Sequence, residues 1–180
     1  VVTDSTVVIN LTRKHGAGSL AHEWFHALDN YFARARKEGG GMLTEKPFPR
    51  GEGVRPEMVA AFKNLMDTIK RTALEQRSMA LDKRRTKHYW STGLEMAARS
   101  FESYTIEKLR DQGASNDYLA NIVSPEYWAA EEALRDFSET GNMGEQQEQT
   151  YPYPTAAEIP AIRAAFDHFF DTIETKETDK

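Results

Sequence analysis

Residues 19–33 read Ser-Leu-Ala-His-Glu-Trp-Phe-His-Ala-Leu-Asp-Asn-Tyr-Phe-Ala, and they decide how the rest of the chain is read. Ser19 follows the flexible Gly16-Ala17-Gly18 and is a good N-cap. Leu20, Trp24, Leu28, Tyr31 and Ala35 recur at helical spacing and predict an apolar stripe. His22 and His26 are four apart, so on a helix they lie one above the other on one face. Two such imidazoles can close on a single ion, and zinc accepts neutral imidazole nitrogens while leaving a position open for water. Glu23, next to the first histidine, can serve that water as general base. His22-Glu23-Trp24-Phe25-His26 is thus an H-E-x-x-H on an expected helix, and two surface histidines on an amphipathic helix is the bland alternative.

Outward from this stretch, the composition narrows the options. The chain has 180 residues, enough for one domain with a real core, and is expected to be a single domain over 1–180. Hydrophobic content of 39% with 28% charged residues predicts a folded, water-facing protein. No run approaches a membrane span. Cysteine is absent, which removes thiolate ligands and leaves histidine and carboxylate for any metal. A formal net charge of -5 argues against a general nucleic-acid binder. The chain opens on Val1 with no signal pattern behind it, so it reads as a piece of a longer protein, cytoplasmic or delivered into a target cell.

Thr6–Leu11 is rich in β-branched residues and predicts a short strand. Gly39-Gly40-Gly41 should stop the first helix. Pro56 opens a second, whose Val59, Phe62, Leu65, Met66 and Ile69 keep helical period through about Ala80. The basic run Lys83-Arg84-Arg85-Thr86-Lys87-His88 reads as a solvated connector. A third helix is expected from Thr92 to Arg110, a short one at Asn116–Ile122, another from Pro125 to Phe137 and a last one at Ala156–Ile173. Residues 139–150 are polar and Gln/Glu-rich, and read as a flexible loop. The fold class that follows is mainly α with a small β element.

A catalytic zinc needs one more protein ligand. His15 and His88 fall in expected loops, and His168 on an aromatic helix reads as structural. Glu95 and Glu102 are the carboxylate candidates, seven apart and on one helix face. Glu95, in the first turn, projects easily toward a neighbouring helix, and Glu102 remains the alternative. Asp29, one turn past His26, is placed to orient a histidine ring or else to face water.

H-E-W-F-H-A-L-D-N-Y, followed far downstream by S-T-G-L-E-M-A-A-R-S-F-E-S-Y, resembles the zincin metallopeptidases whose third ligand is glutamate, and within them the anthrax lethal factor catalytic domain family. The resemblance implies a zincin-like domain, a Zn2+ cofactor held by His22, His26 and Glu95, and Glu23 as the base in hydrolysis of a protein or peptide substrate. It also implies Tyr89 as donor to the developing oxyanion; His88, next to it in the sequence, is an alternative donor. Phe25 stands where that family has glycine, and Arg99 where it has glutamate. The same pairing resembles domains embedded in very large multi-domain proteins of phages and conjugative elements. That implies other domains of a longer chain as partners; the charge and the lack of an apolar span, read above, leave no nucleic acid or membrane bound by this one. Two rivals follow: a binding module of this kind without hydrolysis, and a helical interaction domain without metal.

Overall fold

A computed structural model describes residues 8, 9, 11, 18–34, 41–45, 55–83, 85–141 and 149–173. Among them are six α-helices: α1 (Leu20–Arg34), α2 (Pro56–Lys70), α3 (Leu74–Asp82), α4 (Gly93–Asp111), α5 (Pro125–Thr140) and α6 (Ile159–Asp171), with a 3-10 turn at Leu43–Glu45. No strand occurs among the described residues, which corrects the expected β element. Val8, Ile9 and Leu11 are described and lie outside any ladder, and the rest of the Thr6–Leu11 stretch lies outside the described residues. The zincin-like fold class therefore does not hold: such a domain presents a sheet edge, and this one is built from helices. His15, Gly39, Gly40 and 142–148 also lie outside the described residues.

α4 is the axis, packed by α1, α2, α3, α6 and the 3-10 turn. Every residue from Glu95 to Tyr104 is buried, polar ones included. Thr92 caps the helix, its hydroxyl accepting from Glu95 N at 3.3 Å. At the other end Gly113 takes φ +66, which lets Ala114 N reach back to Leu109 O at 2.9 Å. α2 and α6 pack on each other, and Phe62, Leu65, Ile69, Ile162, Phe166 and Phe169 join the core as the spacing predicts.

The buried face of α1 is shifted one residue from the expected stripe. Ala21, Phe25 and Ala33 are buried, while Trp24 and Tyr31 are 42% and 57% exposed. Phe25 lies 5.5 Å from Phe101 and 6.0 Å from Phe166, ring to ring. Trp24 instead covers the outer side of Phe101 at 5.3 Å. Three further expectations change. The second helix breaks at Arg71–Ala73, where Thr72 Oγ1 donates to Ile69 O and accepts from Leu74 N. Residues 116–122 form a turn, because the Asn116 side chain takes the backbone N–H groups of Tyr118 and Leu119. α5 runs on to Thr140, two residues into the expected loop, and ends at Gly141 with φ +72.

Candidate metal centre

Three side chains from two helices meet between α1 and α4. His22 Nε2 lies 3.0 Å from His26 Nε2 and 3.2 Å from Glu95 Oε2. His26 Nε2 lies 3.5 Å from Glu95 Oε1. One donor atom from each of the three falls within 4.8 Å of the others. Tetrahedral zinc with bonds of 2.0–2.1 Å places its donors about 3.3 Å apart, so the set has the right spread. Glu95 Oε2 is buried, and although the His22 ring lies 3.2 Å away no well-aligned hydrogen bond reaches it; a cation would satisfy it. Two imidazoles and a carboxylate, with no sulfur, are a donor set that suits zinc. These residues fit the ion that the motif implies.

The helix geometry explains the meeting. His22 and His26 share a face of α1 through their four-residue spacing. The Thr92 cap fixes the first turn of α4 and sets Glu95 opposite them. Glu102, two turns further along the same face, reaches the other side of His22: its Oε2 lies 3.4 Å from Nδ1. The two glutamates straddle one imidazole, Glu95 on Nε2 and Glu102 on Nδ1. Glu102 thus stands as the partner that orients His22 rather than in the ligand cluster. Arg99 sits between them on α4, 2% exposed. Its Nε donates to Glu95 O at 3.1 Å, its Nη2 donates to Trp90 O, and it lies 5.0 Å from the Trp90 ring. Where the lethal-factor pattern has glutamate, this cation offsets the charge of the two buried carboxylates.

Without metal the cluster is an ion pair. Burial disfavours the charged imidazole of His22, but hydrogen bonds to Glu102 and Glu95, and their charges, outweigh it and raise its pKa to about 9. Burial alone would raise Glu95, yet the bonds from His22 and His26 hold it far below the usual carboxylate range. Glu102 moves upward, burial prevailing over its bond to His22.

The remaining expected site residues divide. Tyr89, 40% exposed, belongs to the site: burial, the Glu95 charge, hydrogen bonding toward that carboxylate and the Glu23 charge push its hydroxyl to about 12. Asp29 makes its side-chain hydrogen bonds to Thr44, and His26 acts on it through charge. Its Oδ1 accepts from Thr44 N at 3.0 Å and its Oδ2 from Thr44 Oγ1 at 2.6 Å, so it pins the 3-10 turn to α1. His26 Nδ1 is buried without a hydrogen-bond partner. His88 points away from the cluster; its side chain is 84% exposed, with Nδ1 3.8 Å from Asp82. His168 is exposed on α6.

Sequence reasoning missed Asp82, at the end of α3. Its Oδ1 accepts from Tyr89 N and Trp90 N, both at 3.0 Å. Its Oδ2 accepts from Ser91 N at 2.8 Å and Ser91 Oγ at 2.6 Å. These bonds hold Asp82 down to about 2 against its burial. They form the loop that carries Tyr89 to Glu95. An Asp seven to nine residues before a Tyr-Trp-Ser stretch was the only signal.

Among known families, the model of large polyvalent protein-associated domain 1 matches residues 81–177. The chain belongs to this family. No curated protein and no solved structure matches the chain. The polyvalent-protein resemblance is therefore the one supported, and the likeness to zincins and lethal factor is confined to the two motifs. The large polyvalent protein-associated domain 1 match takes in Tyr89, Glu95 and Glu102 but begins after His22 and His26. Among the described residues no helix is long and apolar enough to cross a membrane.

Proposed function

We propose that this large polyvalent protein-associated domain holds one zinc ion on His22, His26 and Glu95 and that the site hydrolyses a peptide bond. The observation that carries the reading is the convergence of two imidazole nitrogens and one buried carboxylate, with neighbouring donor atoms 3.0–3.5 Å apart. A zinc ion held there supplies a Lewis acid for the substrate carbonyl and lowers the pKa of a neighbouring water. Glu23 lies about 100° round α1 from His22, away from the ligand geometry. Its carboxylate takes the proton of the attacking water and returns it to the leaving amine. The Tyr89 hydroxyl, still protonated at neutral pH, donates to the carbonyl oxygen as negative charge gathers there. Glu102 holds the His22 ring with Nε2 toward the cluster.

A second reading keeps the module and drops hydrolysis. It is favoured by the family match, which contains neither histidine and describes a domain of large polyvalent proteins. Glu23→Gln separates the two. Glutamine keeps size and hydrogen bonding but cannot accept a proton near neutral pH. At matched zinc occupancy, turnover of a peptide library should fall by about two to four orders of magnitude. Equal turnover in both forms removes Glu23 as base. No turnover by the zinc-loaded wild type leaves the binding module.

A further inference from the structure

The basic run after α3 looks like a solvated connector in the sequence, but the fold clamps it. Arg85 N bonds Asp82 O at 3.0 Å, starting the loop. The buried Asp82 carboxylate then gathers the N–H groups of Tyr89, Trp90 and Ser91. Tyr89 O accepts from Thr92 Oγ1, the same hydroxyl that caps Glu95, and Trp90 O accepts from Arg99. The loop is therefore tied to the two turns of α4 that present Glu95. On its outer side Lys83, Arg85, Lys87 and His88 are exposed. The Arg85 guanidinium lies 5.3 Å from the Tyr89 ring centroid and 5.4 Å from that of Trp90. Stacking fixes its position without neutralising it: among the described residues neither Arg85 nor Lys87 has a carboxylate partner. In a chain of net charge -5, two cations without a carboxylate partner, Arg85 and Lys87, on a loop tied to the turns that present Glu95 call for an explanation.

We propose that Arg85 and Lys87 form a subsite for acidic peptide segments beside His22, His26 and Glu95, so that the polypeptide this site takes carries Asp or Glu side chains. The inference rests on the peptide reading of the metal centre and names its substrate class. The planar guanidinium, with its donors open to solvent, matches a carboxylate bidentately. Nucleic acid fits less well, because a strand needs a continuous cationic track along several phosphates, and here the cations are confined to one short loop in an acidic chain.

The test is fluorescence anisotropy with fluorescein-labelled deca-glutamate, deca-lysine and a single-stranded decadeoxynucleotide, on the metal-free and the zinc-loaded protein across ionic strength. The protein should bind deca-glutamate more tightly than deca-lysine, and that binding should weaken with salt. Arg85→Glu with Lys87→Glu should weaken it by at least about tenfold, and Lys87→Glu alone by less. Both residues are exposed, and unchanged circular dichroism and zinc content establish that the variants fold. Equal affinity in wild type and the double variant, or no binding by the zinc-loaded protein, overturns the inference. So does tighter binding of the oligonucleotide, which would make the loop a phosphate site. Repeating the titration in His22→Ala separates the two claims. Charge-dependent peptide binding without zinc means that the subsite stands even if the metal reading falls. Zinc uptake without peptide binding means that the subsite alone has failed.

Discussion

Zinc binding should depend on pH well above the range in which an ordinary histidine titrates, because Glu102, and after it Glu95, hold a proton on His22. In the metal-free protein the pKa of His22 is raised to about 9, so at pH 7 its ring is protonated about a hundredfold over neutral. Zinc must displace that proton, a penalty on the order of 3 kcal/mol at pH 7 that shrinks as pH rises. The wild-type affinity should therefore climb about tenfold per pH unit from pH 7 and level off only near 9. Glu102→Gln removes the charge on Nδ1 while keeping the volume of a side chain only 4% exposed. Two effects then oppose each other. The proton on His22 is held less tightly, which favours zinc below pH 9. The ring loses its charged orienting partner, which typically costs about 10–100-fold in affinity. At pH 9, where little proton penalty remains, the second effect should stand nearly alone, and toward pH 7 the deficit should shrink. The assay is competition against a chelating dye at pH 6.5–9, read as log affinity against pH for both forms. A wild-type curve already flat above pH 7, or parallel curves for the two proteins, would refute the reasoning.

Two other predictions follow from the same structure. Phe25→Ala empties a site lined by Phe101 and Phe166 and should cost about 3–5 kcal/mol in denaturant unfolding, whereas Trp24→Ala, partly exposed, should cost clearly less. In the metal-free protein, His22 contributes stability that is complete below its ordinary 6.5 and lost as pH rises through about 9, while Glu95 contributes stability present above its ordinary 4.5 and lost toward its depressed folded value. Thermal unfolding without metal should thus peak between about pH 4.5 and 6.5, and His22→Ala should flatten the alkaline side.

The features legible in the sequence were those set by local spacing. His22 and His26 share a face because they are four apart, and Glu95 falls in the first turn of a helix expected to open at Thr92. The helices opened by Pro56 and Pro125 were equally plain. What failed depended on contacts far along the chain. Trp24 and Phe25 are both aromatic, so periodicity alone does not say which one α4 and α6 bury. Glu95 and Glu102 share a face, and only the approach of α1 shows that they take opposite nitrogens of His22. Asp29 is drawn to Thr44, a partner fifteen residues on, and the break at Arg71–Ala73 has neither glycine nor proline to announce it. The β-branched run near the start is short, and none of its described residues finds a ladder partner.

The most direct measurement is the zinc content of the purified domain, by elemental analysis after dialysis against chelator-buffered zinc, alongside His22→Ala, His26→Ala, Glu95→Ala and Glu102→Ala. The account predicts about one zinc per chain in the wild type. It predicts loss in the two histidine variants and in Glu95→Ala, and a weakened but stoichiometric site in Glu102→Ala. Undiminished zinc in the histidine variants, or a greater loss in Glu102→Ala than in Glu95→Ala, would contradict it.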